Sequence, residues 1–375
     1  MKKRIWITIA IVLLVLIFII LLFLRKTSNN TSDLYIGAVI PLTGPSAQYG
    51  KWQMQGIELA KDEIKEKFGV NIQVEYEDSL SDPKTAISAY RLLSTKKPLC
   101  IITGVSGVVL AVAPIAEQLT IPQINTSGQN SKIAETGKYT ISLINLADIE
   151  TSAMANYAYS ILGLRRVGII YSNVAAGTGA AEQFKKSFES LGGEIIAQES
   201  YDDTKTDFRS QITRTFSQKP EAVFAPGVSM NIARVIKQAN EMGYLTQWLS
   251  YSGFEGPEVK TIAGSAADGT IFTSTELDAT RDPDFINRYE NQYQIKPEIY
   301  ASTAYDAVFV VYQAFKSGSR TPIELSSNLT SGQFTYEGVT GKFTIDTRGV
   351  VSKPVLFKTY KDGIFLRASK QLYSK

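Results

Sequence analysis

The chain has 375 residues, of which 44% are hydrophobic and 20% are charged, a composition typical of a globular protein long enough for two domains. It has no histidine and a single cysteine, Cys100, which excludes the commonest general base, a disulfide and a cysteine metal cluster. Residues 1–33 hold five basic side chains and one acidic one, so the rest of the chain has a net charge near −1 although the total is +3. A nucleic-acid surface is therefore not expected, and Cys100 is expected to be a small buried hydrophobic side chain.

The N-terminal residues predict a membrane anchor. Residues 1–4 form a basic cap, and residues 5–24 are an apolar run whose only polar member is Thr8. Such a run is long enough to span a bilayer as a helix, and no small-residue cleavage site follows it. The flanking charges favour a cytoplasmic N-terminus, with the remaining chain outside the cytoplasm at the cell surface or in the periplasm. Cleavage after an atypical signal peptide is the alternative, and residues 25–33 are interpreted as a polar linker.

From residue 34 onward, strands and helices alternate in two successive series, which predicts an α/β fold with two doubly wound lobes. In the first series, strands are predicted at residues 34–40, 72–76, 100–102 and 121–124, and helices at 48–68, 83–96 and 108–119. In the second series, strands are predicted at 167–171, 194–198, 222–225, near 248 and at 271–273, with helices at 148–162, 179–191, 208–218 and 230–242. Further helices at 282–293 and 299–317 precede strands at 334–344, 354–360 and 365–368.

Residues 100–129 contain two polar turns that each follow a predicted strand. The first turn is GVSG at 104–107, and the second is TSGQ at 126–129. In a parallel sheet both turns lie at the carboxyl ends of the strands, where open α/β sheets bind ligands. Hydroxyl groups and free N–H groups at a helix start favour a carboxylate or another anion. Glycine and serine also occur in ordinary loops, so this pattern alone leaves both interpretations open.

Several motifs together resemble those of the branched-chain amino-acid (Leu/Ile/Val) binding proteins, which are type I periplasmic solute-binding proteins of ABC transporters. The motifs are IGAVIPLTGPSAQYG at 36–50, IPQINTSG at 121–128, YDAV at 305–308 and YEGVTGKFTID at 336–346. The resemblance extends over about residues 34–360. It implies two Rossmann-like lobes joined by three hinge crossings that close over a ligand. It also implies a monomer without enzymatic activity or cofactor that acts with ABC permease subunits.

The resemblance also implies how the chain is divided between the lobes. It places the hinge crossings near residues 142–148, 273–277 and 332–343. Lobe 1 is then formed by residues 34–143 with 275–335, and lobe 2 by residues 144–274 with 336–375.

Carried over position by position, the resemblance implies a ligand site with one half on each lobe. On lobe 1, Ser106 matches the serine that holds a ligand carboxylate, and Ser127 matches a small residue with backbone contacts. Gln129 stands where a threonine is usual, and Tyr49 matches a tyrosine of the pocket wall. The candidate ligand-binding residues on this side are Tyr49, Ser106, Gly107, Thr126, Ser127 and Gln129.

The lobe-2 half departs from the family pattern. Two aromatic positions fall on Ala176 and Val228, and the acidic residue that pairs with a ligand ammonium falls on Ser252. We therefore expect leucine, isoleucine and valine to bind weakly, and a larger or less cationic molecule such as an amide, a carboxylate or an aromatic acid to bind better. The candidate site residues on this side are Ala176, Val228, Tyr251 and Ser252, and the possible substitutes for the acidic residue are Tyr251, Glu255 and Asp202.

The leading interpretation is an extracytoplasmic solute-binding protein of an ABC-type importer, which binds an amino acid or a related polar or carboxylate-bearing molecule. The alternative is a ligand-sensing ectodomain or adaptor that acts with a separate membrane partner. Permease and ATPase genes beside this one would favour the importer. An enzyme on a doubly wound fold is a third class, but no G-x-S-x-G, G-x-G-x-x-G or P-loop motif stands in the required context. No catalytic residue and no metal ligand is therefore assigned.

Overall fold

The computed structural model describes residues 34–275 and 282–368. Within these two ranges the chain forms two large sheets flanked by helices, together with a short two-stranded ribbon. The predicted basic cap, membrane segment and linker at residues 1–33 lie outside the described residues. Among the helices of the described ranges, none is both long and apolar enough to cross a membrane.

The first sheet is built from the N-terminal part of the described chain. Its elements are β1 Leu34–Ile40, α1 Ala47–Phe68, β2 Ile72–Asp78, α2 Pro83–Ser94, β3 Ile101–Thr103, α3 Ser106–Leu119, β4 Gln123–Asn125 and β5 Thr140–Ser142. The strands are parallel and follow the order β2-β1-β3-β4-β5. The central strands β1 and β3 are almost fully buried, as expected where helices cover both faces of a parallel sheet. Cys100 lies directly before β3 and is fully buried, as predicted.

The second sheet is built mainly from the middle of the chain. Its elements are α4 Ala147–Asn156, β6 Arg166–Ser172, α5 Ala175–Ser190, β7 Glu194–Tyr201, α6 Arg209–Ser217, β8 Ala222–Phe224, α7 Ser229–Glu241, β9 Gln247–Ser250 and β10 Ile271–Thr275, joined later by β13 Val355–Lys361 and β14 Ile364–Arg367. The strand order is β14-β13-β10-β9-β8-β6-β7. Strands β13 and β14 are antiparallel additions at one edge, and a turn at Asp362–Gly363 connects them.

Three helices and the ribbon fill the interval between β10 and β13. They are α8 Pro283–Tyr293, α9 Ile299–Lys316, α10 Pro322–Leu329, β11 Thr335–Gly338 and β12 Gly341–Thr344. Helix α9 packs along α1, and a Cβ atom at Gly56 would lie only 2.0 Å from the carbonyl oxygen of Ala301. Glycine at this position therefore permits the two helix backbones to approach closely.

One predicted strand is divided in the structure, and strand β5 and helix α10 were not predicted. Residues 334–344, predicted as one strand, form the hairpin β11–β12, and Gly341 supports the turn with a φ of +91°. Helix α10 was not predicted, although its start has a recognisable sequence pattern. Thr321 and Glu324 form a capping box around Pro322 at the first turn.

The third crossing also lies later in the chain than expected. Residues 336–375 were expected to belong to lobe 2. Instead, Tyr336 and Phe343 are paired across the ribbon and pack, together with Val351, in the hydrophobic core of the first sheet. If the ribbon packed with β13 against the second sheet, these apolar side chains would no longer be buried in the first core. Val350 still pairs with Ser142 at the end of β5, so the chain crosses to the second sheet only after Val351, at residues 352–354, and not at 332–343.

Asn145 connects the three crossings between the two sheets. Its side chain lies between β5 and α4, and Nδ2 approaches Oγ1 of Thr275 at 3.4 Å, at the end of β10. The same Nδ2 donates to the carbonyl oxygen of Lys353 at 2.9 Å, and the Lys353 N–H donates to Asn145 Oδ1 at 2.7 Å. Asn145 is fully buried, so these hydrogen bonds join all three crossings in the protein interior.

Candidate functional site

A cavity of about 410 Å³ lies between the two sheets, at the carboxyl ends of their strands. Its lining comes from the segments that follow β1, β2, β3 and β4 on one side and from those that follow β6, β7, β8 and β9 on the other, together with Tyr300 of α9. Open parallel sheets bind ligands at this edge. The volume lies within the range of small-molecule sites.

Ser106 opens α3 and lies in the first-sheet wall of the cavity. Its Oγ accepts hydrogen bonds from the backbone N–H groups of Gln129 at 3.0 Å and Asn130 at 3.1 Å. Because these two bonds occupy the hydroxyl lone pairs, the hydroxyl proton is left for an acceptor in the cavity. Ser106 is therefore placed to donate a hydrogen bond to a ligand oxygen.

The turn before Ser106 has an unusual backbone. Val105 has a φ of +53°, which is strained for a β-branched residue and is a type of strain that clusters at ligand sites. The Val105 N–H donates to Ser127 Oγ at 2.9 Å. A Cβ atom at Gly104 would lie 2.7 Å from the same oxygen, so glycine at this position allows the two polar turns to meet.

Among the helices that begin at the cavity, three have a valine at the N-cap position. These residues are Val105 before α3, Val174 before α5 and Val228 before α7, and all three line the cavity. Valine has no oxygen that could accept a hydrogen bond from the first turn, a role usually taken by Ser, Thr, Asn or Asp. None of the three first turns contains an acidic residue. Their positive dipole ends therefore favour an anionic or polar oxygen group in the cavity.

Tyrosine rings form the apolar part of the lining. Tyr49, Tyr251 and Tyr300 are all buried, and the ring centroids of Tyr49 and Tyr300 are 4.8 Å apart. Burial raises the pKa of Tyr49 to about 12, and its hydroxyl oxygen accepts a hydrogen bond from the Ser229 N–H at 3.4 Å. Tyr300, at the start of α9, also lines the cavity and was not predicted as a site residue.

A buried carboxyl group, Glu150, connects the two walls at the back of the cavity. Gln129 Nε2 donates to Glu150 Oε1 at 3.0 Å and to Ser252 Oγ at 2.8 Å. Glu150 Oε2 accepts hydrogen bonds from the Ser252 N–H at 3.1 Å and from Thr273 Oγ1 at 3.3 Å. Burial raises the pKa of Glu150 to about 7, although the hydrogen bonds from Ser252 and Thr273 act in the opposite direction. Glu150 was not identified from the sequence, since its partners lie as far as 123 residues away.

Two predicted site residues do not line the cavity. The Thr126 hydroxyl lies behind the wall, where it accepts a hydrogen bond from Gln53 Nε2 at 2.6 Å and donates to the carbonyl oxygen of Thr103 at 3.2 Å. Ser252 is engaged by Gln129 and Glu150 and is buried. The other predicted residues lie at the cavity, and their role in binding stays a prediction: Tyr49, Ser106, Gly107, Ser127, Gln129, Ala176, Val228 and Tyr251.

The proposed substitutes for the missing acidic residue have different surroundings. Glu255 lies outside the cavity and forms an ion pair with Lys358 at 2.7 Å. Asp202 is exposed at the cavity mouth, where its Oδ1 accepts a hydrogen bond from the Thr204 N–H at 2.8 Å. The adjacent residue Asp203 lines the cavity and is half-buried.

Asp203 could have been found from a longer strand prediction. The predicted strand at 194–198 ends too early, because β7 continues to the buried Tyr201, an aromatic residue of the kind that is common in strands. Extended in this way, the pattern places Asp202 and Asp203 directly at the carboxyl end of β7. We expected a less cationic ligand because the family's acidic residue is replaced by Ser252. Asp203 supplies the cavity wall with a carboxylate at a different position.

A second groove, of about 540 Å³, lies beside the third crossing. Its charged lining includes Asp346 and Arg348, which pair with each other at 2.8 Å. It is not formed by the strand ends, so the cavity between the sheets is the stronger candidate for a ligand site.

Comparison with known proteins identifies similar chains along nearly the whole sequence. The family model described as "Periplasmic binding protein" matches residues 33–363. A Leu/Ile/Val-binding protein homolog 1 from Brucella suis biovar 1 is 26% identical over 341 residues, which are 88% of this chain and 91% of that protein.

Two solved structures are similar in fold and in length. A leucine-binding protein LivK from Thermotoga maritima has a TM-score of 0.82 and 25% identity, with coverage of 90% of this chain and 98% of that one. The branched-chain amino acid transporter substrate-binding protein LivJ from Streptococcus pneumoniae, solved in complex with isoleucine, has a TM-score of 0.81 and 25% identity. That alignment covers 89% of this chain and 97% of the other.

Proposed function

The chain belongs to the periplasmic binding protein family, and from this premise we propose that it is the extracytoplasmic solute-binding protein of an ABC-type importer. The family match confirms the resemblance to Leu/Ile/Val-binding proteins, and the similar solved structures confirm the type I α/β fold. The family consists of solute-binding proteins rather than enzymes. The importer role and the ligand of this particular chain are part of the proposal.

The cavity between the sheets is the observation that carries the proposal. The Ser106 hydroxyl proton and the N-terminal ends of α3, α5 and α7 provide hydrogen-bond donors and positive potential, and no basic side chain of the described residues lines the cavity. Such a site suits a small polar or carboxylate-bearing molecule, such as an amino acid or a related compound.

The two sheets are proposed to be the cores of two lobes that close over this molecule. Lobe 1 contains the first sheet with the late helices and the ribbon, and lobe 2 contains the second sheet. Contacts across the cavity support this division. Asn130 Nδ2 donates to the carbonyl oxygen of Ala175 at 2.5 Å, and Gln129 Nε2 donates to Ser252 Oγ at 2.8 Å.

The proposal also includes the location of the protein and its partners. Residues 5–24 are proposed to anchor the binding domain outside the cytoplasm, where it delivers its ligand to ABC permease subunits as a monomer. Sequencing the N-terminus of the mature protein distinguishes the two possible fates of this segment. A product that starts near residue 27 would contradict a retained anchor.

A thermal-shift screen with amino acids, amides, organic acids and aromatic acids tests the function. Because a ligand at a hundred times its Kd adds about 2.7 kcal/mol to the free energy of unfolding, a true ligand should raise the melting temperature clearly. Calorimetry should then show that Ser106→Ala weakens binding of that compound by about 1–3 kcal/mol. The exposed Ser190→Ala variant is the matched control and should bind normally. A screen without any stabilising compound would contradict the proposed function.

A further inference from the structure

The charged side chains that line the cavity are all acidic. They are Asp82, Asp202 and Asp203, and among the described residues no lysine or arginine lines the cavity with them. A molecule whose only charge is a carboxylate would therefore enter a cavity that contains charges of its own sign, and like charges at close range cost free energy. A ligand that also carries a positive group would offset this cost.

Asp203 differs from the other two aspartates in what stabilises its charge. Asp82 accepts a hydrogen bond from the Thr85 N–H at 2.8 Å, and Asp202 accepts one from the Thr204 N–H at the same distance. These hydrogen bonds hold the pKa of both carboxyl groups below the ordinary value. Burial instead raises the pKa of Asp203, and Asp202 nearby acts in the same direction. The ionised form of Asp203 is therefore the one that gains most from a positive partner.

The partners that Asp203 has within the protein are neutral. Its Oδ1 accepts a hydrogen bond from Asn231 Nδ2 at 3.2 Å, and a second hydrogen bond comes from the Ser172 side chain. Within the described residues, Asp203 forms no ion pair. A cation that entered the cavity would be its first partner of opposite charge.

Three buried tyrosines have their hydroxyl groups at the segment before α7, beside Asp203. Tyr251 Oη donates to the carbonyl oxygen of Gly227 at 3.5 Å. Tyr49 Oη accepts a hydrogen bond at 3.4 Å from the N–H of the first residue of α7. Tyr201 Oη lies beside the same glycine, since a Cβ atom there would be 2.4 Å from it, and it hydrogen-bonds with no described residue.

The charge of Asp203 acts on all three of these tyrosines. Burial is the largest cause of their raised pKa values, and the carboxylate of Asp203 acts in the same direction on each. Because such an effect falls with distance, Asp203 lies close to the three rings, of which Tyr49 and Tyr251 line the cavity. A carboxylate beside aromatic rings suits a cation, which is attracted both by the opposite charge and by the ring faces.

The family's position for an acidic residue cannot take this role. Ser252 occupies it, and the nearest carboxylate behind it, that of Glu150, does not line the cavity. Both Glu150 oxygens already accept hydrogen bonds, Oε1 from Gln129 Nε2 and Oε2 from the Ser252 N–H and Thr273 Oγ1. Among the described residues, this part of the wall therefore offers no free carboxylate to a cation.

We propose that the site selects a ligand with a protonated amine, and that Asp203, in the corner between β7 and α7, binds this group. The Ser106 hydroxyl and the helix ends bind the carboxylate of the same molecule, as in the proposed function. The inference rests on that function and narrows its substrate class, because an acid without an amine is disfavoured. It reverses the expectation of a less cationic ligand that was drawn from the sequence.

Pairs of compounds that differ only in the amine provide the test. Calorimetry would compare leucine with isocaproate, phenylalanine with hydrocinnamate, and γ-aminobutyrate with butyrate. Both members of a pair have the same carbon skeleton and carboxylate, and the third pair places the amine further from the carboxylate than the other two. In every pair with measurable binding, the compound with the amine should bind at least about tenfold tighter.

The Asp203→Asn variant tests the residue. It should weaken binding of the compounds with an amine by roughly tenfold or more, whereas their amine-free partners should bind as tightly as before or more tightly, since a like charge is removed. Asp207→Asn is the matched control, since Asp207 lies in the same loop, is exposed, pairs with Arg209 and does not line the cavity. That variant should leave every affinity within about twofold, which separates a direct contact from a general change in charge.

Three results would overturn the inference. One is an amine-free acid that binds as tightly as its partner in every pair that binds, and another is an Asp203→Asn variant that weakens both members of a pair equally or neither. The third is an absence of binding by all three compounds with an amine. The comparison of pairs needs only the wild type, so it decides the substrate class even if Asp203→Asn does not fold.

The broader thermal-shift screen decides separately whether the proposed function fails as well. An acid without an amine that binds through Ser106 would support that function and contradict this inference.

Discussion

Glu150 combines full burial with hydrogen bonds from three residues at the back of the cavity, so its protonation state matters for stability. Its pKa of about 7 in the folded protein lies above the ordinary value of 4.5. The folded protein therefore binds this proton more tightly than the unfolded chain does. The free energy of unfolding should fall as the pH rises from about 4.5 to about 7, and the contribution of Glu150 should be constant at higher pH.

The Glu150→Gln variant should remove this dependence. Over that pH range the contribution is on the order of 3 kcal/mol, so denaturant unfolding at about pH 5 and about pH 7.5 resolves it. The stability difference between the two pH values should be clearly smaller in Glu150→Gln than in the wild type. Glu182→Gln, at an exposed position of α5, should keep the wild-type difference. Equal pH dependence in all three proteins would show that Glu150 does not titrate in this range.

At the same scale, only part of the site could be predicted from the sequence. Ser106 and Gln129 were identified because polar turns after predicted strands are a local pattern that a single sequence shows. Glu150 and Asp203 were not identified as site residues, because their surroundings are created by contacts between distant segments. Whether a carboxyl group in a loop faces solvent or the protein depends on those contacts. Asp202 is exposed and accepts a hydrogen bond from Thr204 in its own loop, whereas the adjacent Asp203 is half-buried and accepts one from Asn231 of α7.

At the scale of the elements, the side chain of Asn145 holds the three crossings together by hydrogen bonds. In Asn145→Ala the backbone N–H and C=O groups of Lys353 would lose their partner, and Lys353 is only 3% exposed. We expect this substitution to lower the free energy of unfolding by about 2–3 kcal/mol, because buried backbone groups would be left without hydrogen bonds. Denaturant unfolding measures the change. The exposed Asn240→Ala variant in α7 should be close to the wild type, and an equally small effect of Asn145→Ala would contradict this role.

The alternation of strands and helices was predictable because buried parallel strands and amphipathic helices have distinct periodicities. The assignment of late elements to a sheet was not. The ribbon β11–β12 has a local sequence compatible with either sheet, and its place beside the first sheet follows from the apolar surface that α9 presents to Tyr336 and Phe343. The sheet to which such an element belongs is decided by its contacts with distant segments, and these contacts cannot be read from the periodicity of the element itself.

For the whole molecule, we propose two lobes that meet around a ligand and move about the crossings at Asn145. Between the described residues of the two sheets, hydrogen bonds across the cavity include those from Gln129 to Ser252 and from Asn130 to Ala175. A ligand that contacts both walls should therefore favour the closed arrangement over an open one, since it binds the closed arrangement more tightly.

Small-angle X-ray scattering tests this central claim most directly. The compound with the highest calorimetric affinity would be added at saturation to the wild type, and the same concentration would be added to Ser106→Ala, which it should occupy less. The account predicts a smaller radius of gyration on saturation of the wild type, with a smaller change in Ser106→Ala. A scattering profile that stays the same while calorimetry shows full occupancy would contradict the account, because the ligand would then bind without closing the two lobes.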